Sequence, residues 1–146
     1  MEIMPDFHPV ILHFPIVLFW TGLVFDLLSW VWKKQTYPAG HWIIIAAALM
    51  SIPTVITGLM AADELPPSPD IIHHRNMALI TASFGLLHAA FRLYILMKNK
   101  IFRGSLLVLL SLINVGLVSL TAEYGGIVAF KKGIFLRPSS EPLQPR

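Results

Sequence analysis

Four apolar stretches separated by short polar breaks limit what this chain can fold into. They run over residues 10–32, 42–62, 76–97 and 104–122. Each is close to the roughly 20 predominantly apolar residues that a helix needs to cross a bilayer. Lys33 to Gly40 is polar and ends in Pro and Gly, Asp63 to Asp70 is acidic and proline-rich, and Lys98-Asn99-Lys100 is a basic turn. Hydrophobic residues make up 55% of the chain and charged ones 13%, against about 25% charged in a soluble domain. A soluble fold of 146 residues has too much surface to hide that much apolar material. The expected fold is all-α: a four-helix transmembrane bundle of up-down topology. It forms one membrane domain over residues 1–136, followed by a flexible Pro/Ser-rich tail over 137–146.

The net charge of +3 is spread over breaks and tail, with no basic stripe interleaved with aromatics, so nucleic acid is not an expected partner. The absence of cysteine excludes disulfides, thiolate zinc, iron–sulfur clusters and covalent c-type haem within this chain. The acidic start Met1-Glu2-Ile3-Met4-Pro5-Asp6 lacks a basic n-region, so the first apolar stretch is expected to stay in the mature protein. Lys33, Lys34, Lys98, Lys100 and Arg103 lie at one side of the bundle, while Glu2, Asp6, Asp63, Glu64 and Asp70 lie at the other with Arg75. The positive-inside rule then puts the N-terminus outside a bacterial inner membrane. Lys131, Lys132 and Arg137 run against this assignment, but the loops near the first helix usually dominate. Trp30, Trp32, Tyr37 and Trp42 would form an aromatic belt at the inner interface.

Ionisable side chains inside a span are costly, and their default reading is functional or paired. His8, His13, His73 and His74 all fall near the outer boundary on that topology. Neutral imidazole is both the commonest metal ligand and an axial ligand of haem iron. In the third span His74, Ala78, Thr81, Gly85, His88 and Arg92 alternate steps of four and three, which makes one stripe. His74 and His88 lie about 21 Å apart along the axis at 1.5 Å per residue. The small residues between them, Gly85 among them, leave room for a flat macrocycle or equally for another helix. Asp26 and Arg92 should lie at similar depth and pair. No nucleophile–base pair, phosphate loop or zinc-protease spacing is present, so no autonomous catalytic constellation is expected.

His8-Pro9-Val10-Ile11-Leu12-His13-Phe14-Pro15-Ile16, Asp26-Leu27-Leu28, Thr57-Gly58-Leu59 and Gly125-Gly126 followed by Phe130 are the most distinctive motifs. In these the chain resembles small bacterial membrane proteins catalogued as domain of unknown function 2231, over about residues 6–136. Members often continue Tyr-x-His-Gly at the last motif, where this chain has Phe130-Lys131-Lys132-Gly133 and so lacks that late histidine. Relatives joined to c-type cytochrome or Rieske-type domains imply a setting of membrane electron transfer.

The expected function is that of a membrane b-type haem protein passing electrons in a respiratory or related redox chain. His13 and His74 are the expected axial ligands, His73 and His8 the reserves, and His88 and Gly85 further cofactor contacts. Its partners would be lipid and other membrane subunits or redox proteins. The alternative is a non-catalytic structural or assembly subunit of a larger membrane complex, packing through Ala46 to Ala48, Gly58, Ala78, Ala82, Gly85 and Ala89. A metal-handling protein using the outer histidines is a third reading, and the absence of a repeat argues against a transporter acting alone.

Overall fold

The computed structural model describes residues 4–32, 38–98 and 104–131, with the backbone alone for residues 4–7 and 131. The tail, most of the basic breaks (Lys33, Lys34, Lys100, Arg103) and Tyr37 lie outside the described residues. Five helices follow in order: α1 (Met4–Ile11), α2 (His13–Val31), α3 (Pro38–Asp63), α4 (Pro69–Met97) and α5 (Gly104–Lys131). Four helical segments, His8–Val31, Pro38–Asp63, Pro69–Met97 and Gly104–Phe130, are long and apolar enough to cross a membrane. The expected all-α, four-span architecture is therefore the one observed.

The four long helices form a ring in which α2 packs on α3 and α5, and α4 packs on α3 and α5. The diagonal pairs α2–α4 and α3–α5 do not meet closely among the described residues, and α1 leans onto α3. Buried positions recur in steps of four and three: Pro15, Phe19, Gly22, Asp26 and Ser29 on α2, and Thr81, Gly85, His88, Arg92 and Ile95 on α4. That period is the seam of left-handed antiparallel packing. Phe19, Leu23, Ile44, Ala47, Ala48 and Val115 form the apolar core.

Polarity is inverted relative to a soluble bundle. The buried set includes Asp26, His41, His88, Arg92, Ser111 and Asn114, while Phe14, Trp20, Leu49, Leu87 and Leu109 point outward. Lipid is the solvent that rewards this arrangement, because hydrocarbon accepts the apolar exterior and penalises unpaired polar groups. Trp30, Trp32 and Trp42 are exposed at one end, as an interfacial belt requires.

The helices run further than the hydropathy alone suggests, for local reasons. The third apolar stretch begins at Asn76 when prolines are read only as breakers, yet α4 starts at Pro69. Ser68 is its N-cap and accepts from the Ile71 amide, Pro69 opens the first turn with its fixed φ, and Asp70 adds a favourable charge there. The fourth helix continues through Gly125 and Gly126 to Lys131 rather than ending near Ala122. At the N-terminus, Pro15 has no N–H for the Ile11 carbonyl and crowds it, so α1 ends at Ile11 and α2 restarts at His13. Pro53 does not end α3. Hydroxyls of Ser51, Thr54 and Thr57 bond the carbonyls of Ala48, Met50 and Pro53 around it.

Close approach of α2 and α3 depends on Gly22. A Cβ there would lie 2.4 Å from Ile44 Cδ1 and 2.9 Å from Cγ1, and Ile44 is fully buried. Gly22→Ala is expected to destabilise the bundle by about 1–3 kcal/mol, the usual range for overpacking. Adding Ile44→Val, which deletes the nearer methyl, should restore part of the loss in detergent unfolding. Equal stability of Gly22→Ala and the parent would contradict this seam.

Candidate functional site

Two groups of polar side chains lie inside the bundle, one toward the α2–α3 connection and one at the opposite mouth. The first is built around Arg92 of α4, which is completely buried. Its Nη1 donates to Asp26 Oδ1 of α2 at 3.0 Å, and its Nη2 donates to Asp26 Oδ2. Nη2 also reaches Ser111 Oγ of α5 at 3.2 Å, and that hydroxyl donates to Asp26 Oδ2 at 2.6 Å. The pair is thus bidentate, the geometry that best offsets the loss of hydration.

The fourth direction of the guanidinium meets histidine. Arg92 Nε donates to His88 Nε2 at 2.9 Å, one helical turn away. An arginine only donates, so Nε2 carries the lone pair and the neutral ring holds its proton on Nδ1. The Asn114 side-chain amide lies 2.5 Å from Nδ1. Its oxygen must face the ring, because one neutral imidazole cannot accept at both nitrogens. His41, in the first turn of α3, is buried within electrostatic reach of Asp26, His88 and Arg92. Every helix of the ring contributes to this cluster.

Around the second mouth, His8 of α1 directs Nδ1 at Thr57 Oγ1 of α3 (3.1 Å). The Thr57 hydroxyl proton already goes to the Pro53 carbonyl, so His8 Nδ1 is the donor and Nε2 keeps its lone pair. His74 of α4 donates from Nδ1 to the Thr121 carbonyl of α5 at 3.1 Å, which leaves its Nε2 with a lone pair as well. Each ring rests on a glycine. A Cβ on Gly58 would meet His8 Cε1 at 2.8 Å, and one on Gly125 would meet His74 Cε1 at 3.0 Å. The two rings therefore sit on α3 and α5, which are diagonal in the bundle, and they are within electrostatic range of each other. Thr81 extends the α4–α5 contact through Thr121 Oγ1 (2.8 Å).

The residues expected to act together are thus regrouped. His74 has His8 as its companion, and not His13. His13 is exposed, with Nδ1 on the Pro9 carbonyl at 2.5 Å. It stands two residues, about 200° of helix rotation, from Pro15 on the buried row. His73 also turns outward and stacks on Tyr124 with ring centroids 6.3 Å apart. His88 has both ring nitrogens engaged, so it has no lone pair to offer a metal. The room beside Gly85 is filled: a Cβ there would lie 2.9 Å from Phe19 Cζ and 3.5 Å from the Asn114 side-chain amide. The α4 stripe is a helix seam with a polar network at its end. Asp63, Glu64 and Glu123 are exposed. His41, Ser111 and Asn114 are the members that a search restricted to ionisable residues at mid-span passes over. Their signal is Ser111 and Asn114 three apart in an apolar run, the spacing of one helix face.

Removing either member of the buried pair leaves the other unpaired, at roughly 3–5 kcal/mol. Asp26→Leu and Arg92→Met alone should each lower stability in detergent by that order, while the double variant should lose less than either. Additive losses would show that the two side chains are not coupled.

Comparisons with curated proteins and with solved structures return no match. A family model described as predicted membrane protein, domain of unknown function 2231, matches residues 5–138. Spanning nearly the whole described bundle, that match makes the chain a member of this family of membrane proteins.

Proposed function

We propose that the protein is a b-type haem carrier of the bacterial inner membrane, with His8 and His74 as the axial ligands and its N-terminus outside. The supporting observation is the pair of imidazoles across the bundle mouth, each tied through Nδ1 and each keeping a lone pair on Nε2. Ligating histidines characteristically donate the other ring N–H to a carbonyl or similar acceptor, which fixes ring orientation and raises basicity. A pair of neutral imidazoles suits haem iron, whose remaining positions the macrocycle fills. A bare zinc ion asks the protein for three or four ligands. Bound haem would supply one-electron chemistry. The chain's part is to hold the two ligands, set their tautomers and surround them with low-dielectric helix faces.

The rival reading is a packing subunit with small residues as docking seams. Of these, Ala47, Ala48, Gly85 and Ala89 are buried inside the bundle, while Ala46, Gly58, Ala78 and Ala82 are half-buried.

Protein purified from a haem-replete host should show a Soret band with sharp reduced α and β bands. His8→Ala and His74→Ala should each abolish or shift these bands, whereas His13→Ala should leave them intact. A colourless protein that takes up no added haem would overturn the proposal and favour the packing subunit. The orientation rests on the lysine and arginine bias around Lys33, Lys34 and Lys98. Reporters fused after Lys34 and after Asp70 should report inside and outside respectively, and the reverse result would move the histidine pair to the inner face.

A further inference from the structure

We infer that the buried cluster of Asp26, Arg92, His88 and His41 is an intramembrane proton-binding site, in which His41 takes the proton and the Asp26 carboxylate is its counter-charge. This inference is independent of haem and concerns the other end of the bundle.

Arg92 is fixed as a cation. His88 cannot gain a proton without expelling Arg92, because its only lone pair accepts from Arg92 Nε. Ser111 and Asn114, the contribution of α5, do not titrate near neutrality. The Asp26 carboxylate has about four acceptor positions, and three are taken, by Arg92 Nη1, Arg92 Nη2 and Ser111 Oγ. One remains.

His41 follows Gly40, where α3 meets this carboxylate. Its Nδ1 is buried and has no hydrogen-bond partner among the described residues. An orphaned buried polar atom is expensive, and a native structure that keeps one calls for an explanation. The backbone of α3 presses against the carboxylate here: a Cβ on Gly40 would lie 3.5 Å from Asp26 Oδ1. His41 therefore belongs to the same polar enclosure as Asp26. Among the described residues, the charged and titratable groups facing it are Asp26 from α2 and His88 and Arg92 from α4.

With the neutral ring holding its proton on Nε2, a second proton on Nδ1 gives the orphan nitrogen an N–H that can turn to the free carboxylate position. The new charge-assisted bond competes with Arg92 for Asp26, so one proton rebalances contacts among α2, α3, α4 and α5. The balance is simple: one proton enters from water, one N–H bond forms, and no electron moves. His41 lies in the first turn of α3, at the opposite end of the bundle from the His8–His74 mouth.

The test is nitrogen NMR of the full-length protein in lipid nanodiscs, with labelled histidine, whatever its haem content. The His41 Nδ1 signal should move from the lone-pair position to the N–H position on acidification across roughly pH 5 to 8, the range in which imidazoles change charge. The His88 signals should stay fixed as the Nδ1–H tautomer. His41→Gln should remove the titrating signal and leave the others. Should that variant not fold, sequential correlation to labelled Trp42 assigns the signal in the parent protein. A His41 signal that does not move, or a His88 signal that does, would overturn the inference. Loss of haem absorbance without change in this titration would refute the redox reading alone.

Discussion

A guanidinium buried inside an apolar helix bundle has to be surrounded by acceptors, and much of this bundle is arranged to surround one. Arg92 has no water, so each direction in which it donates fixes a neighbour: Asp26 in depth and rotation on α2, Ser111 on α5, His88 one turn back on α4. His88 in turn fixes Asn114. In hydrocarbon, apolar packing gives little preference for one helix neighbour over another, since lipid tails compete with leucine. A network that is satisfied in a single arrangement supplies the specificity that apolar contact lacks. Close seams such as Gly22 against Ile44 and Gly85 against Phe19 then bring the helices near enough for these bonds to form.

The two polar regions solve different problems. Around Arg92 most donors and acceptors are matched, which makes that end rigid, with His41 Nδ1 and one side-chain amide atom of Asn114 as the exceptions among the described residues. At the far mouth the imidazoles are oriented through Nδ1, and their Nε2 atoms have no hydrogen-bond partner among the described residues. One end has the character of a lock and the other of a socket, and α4 carries residues of both on one stripe.

Much of this was legible in the sequence. Length and hydropathy of the four stretches dictated the bundle, because backbone groups in lipid must bond within their own helix. The opposite charges of Asp26 and Arg92 pointed to each other for the same reason. Helix ends were harder: Ser68-Pro69-Asp70 reads as a breaker by composition but is an N-terminal cap by position. Ligand pairing was harder still. His13 and His8 are both near the mouth, and which one faces inward depends on the break at Leu12 forced by Pro15, a three-dimensional consequence that spacing alone does not carry. His41 fell outside the apolar stretch as delimited from Trp42, so its burial could emerge only once α3 began at Pro38.

Arg92 organises the bundle by donating from Nε to a neutral His88. This can be observed as a scalar coupling across the hydrogen bond between Arg92 Nε and His88 Nε2 in doubly nitrogen-labelled protein held in nanodiscs. The expected result is a resolved coupling and an Arg92 Nε proton protected from exchange with water. No coupling, with an Nε proton that exchanges freely, would contradict it.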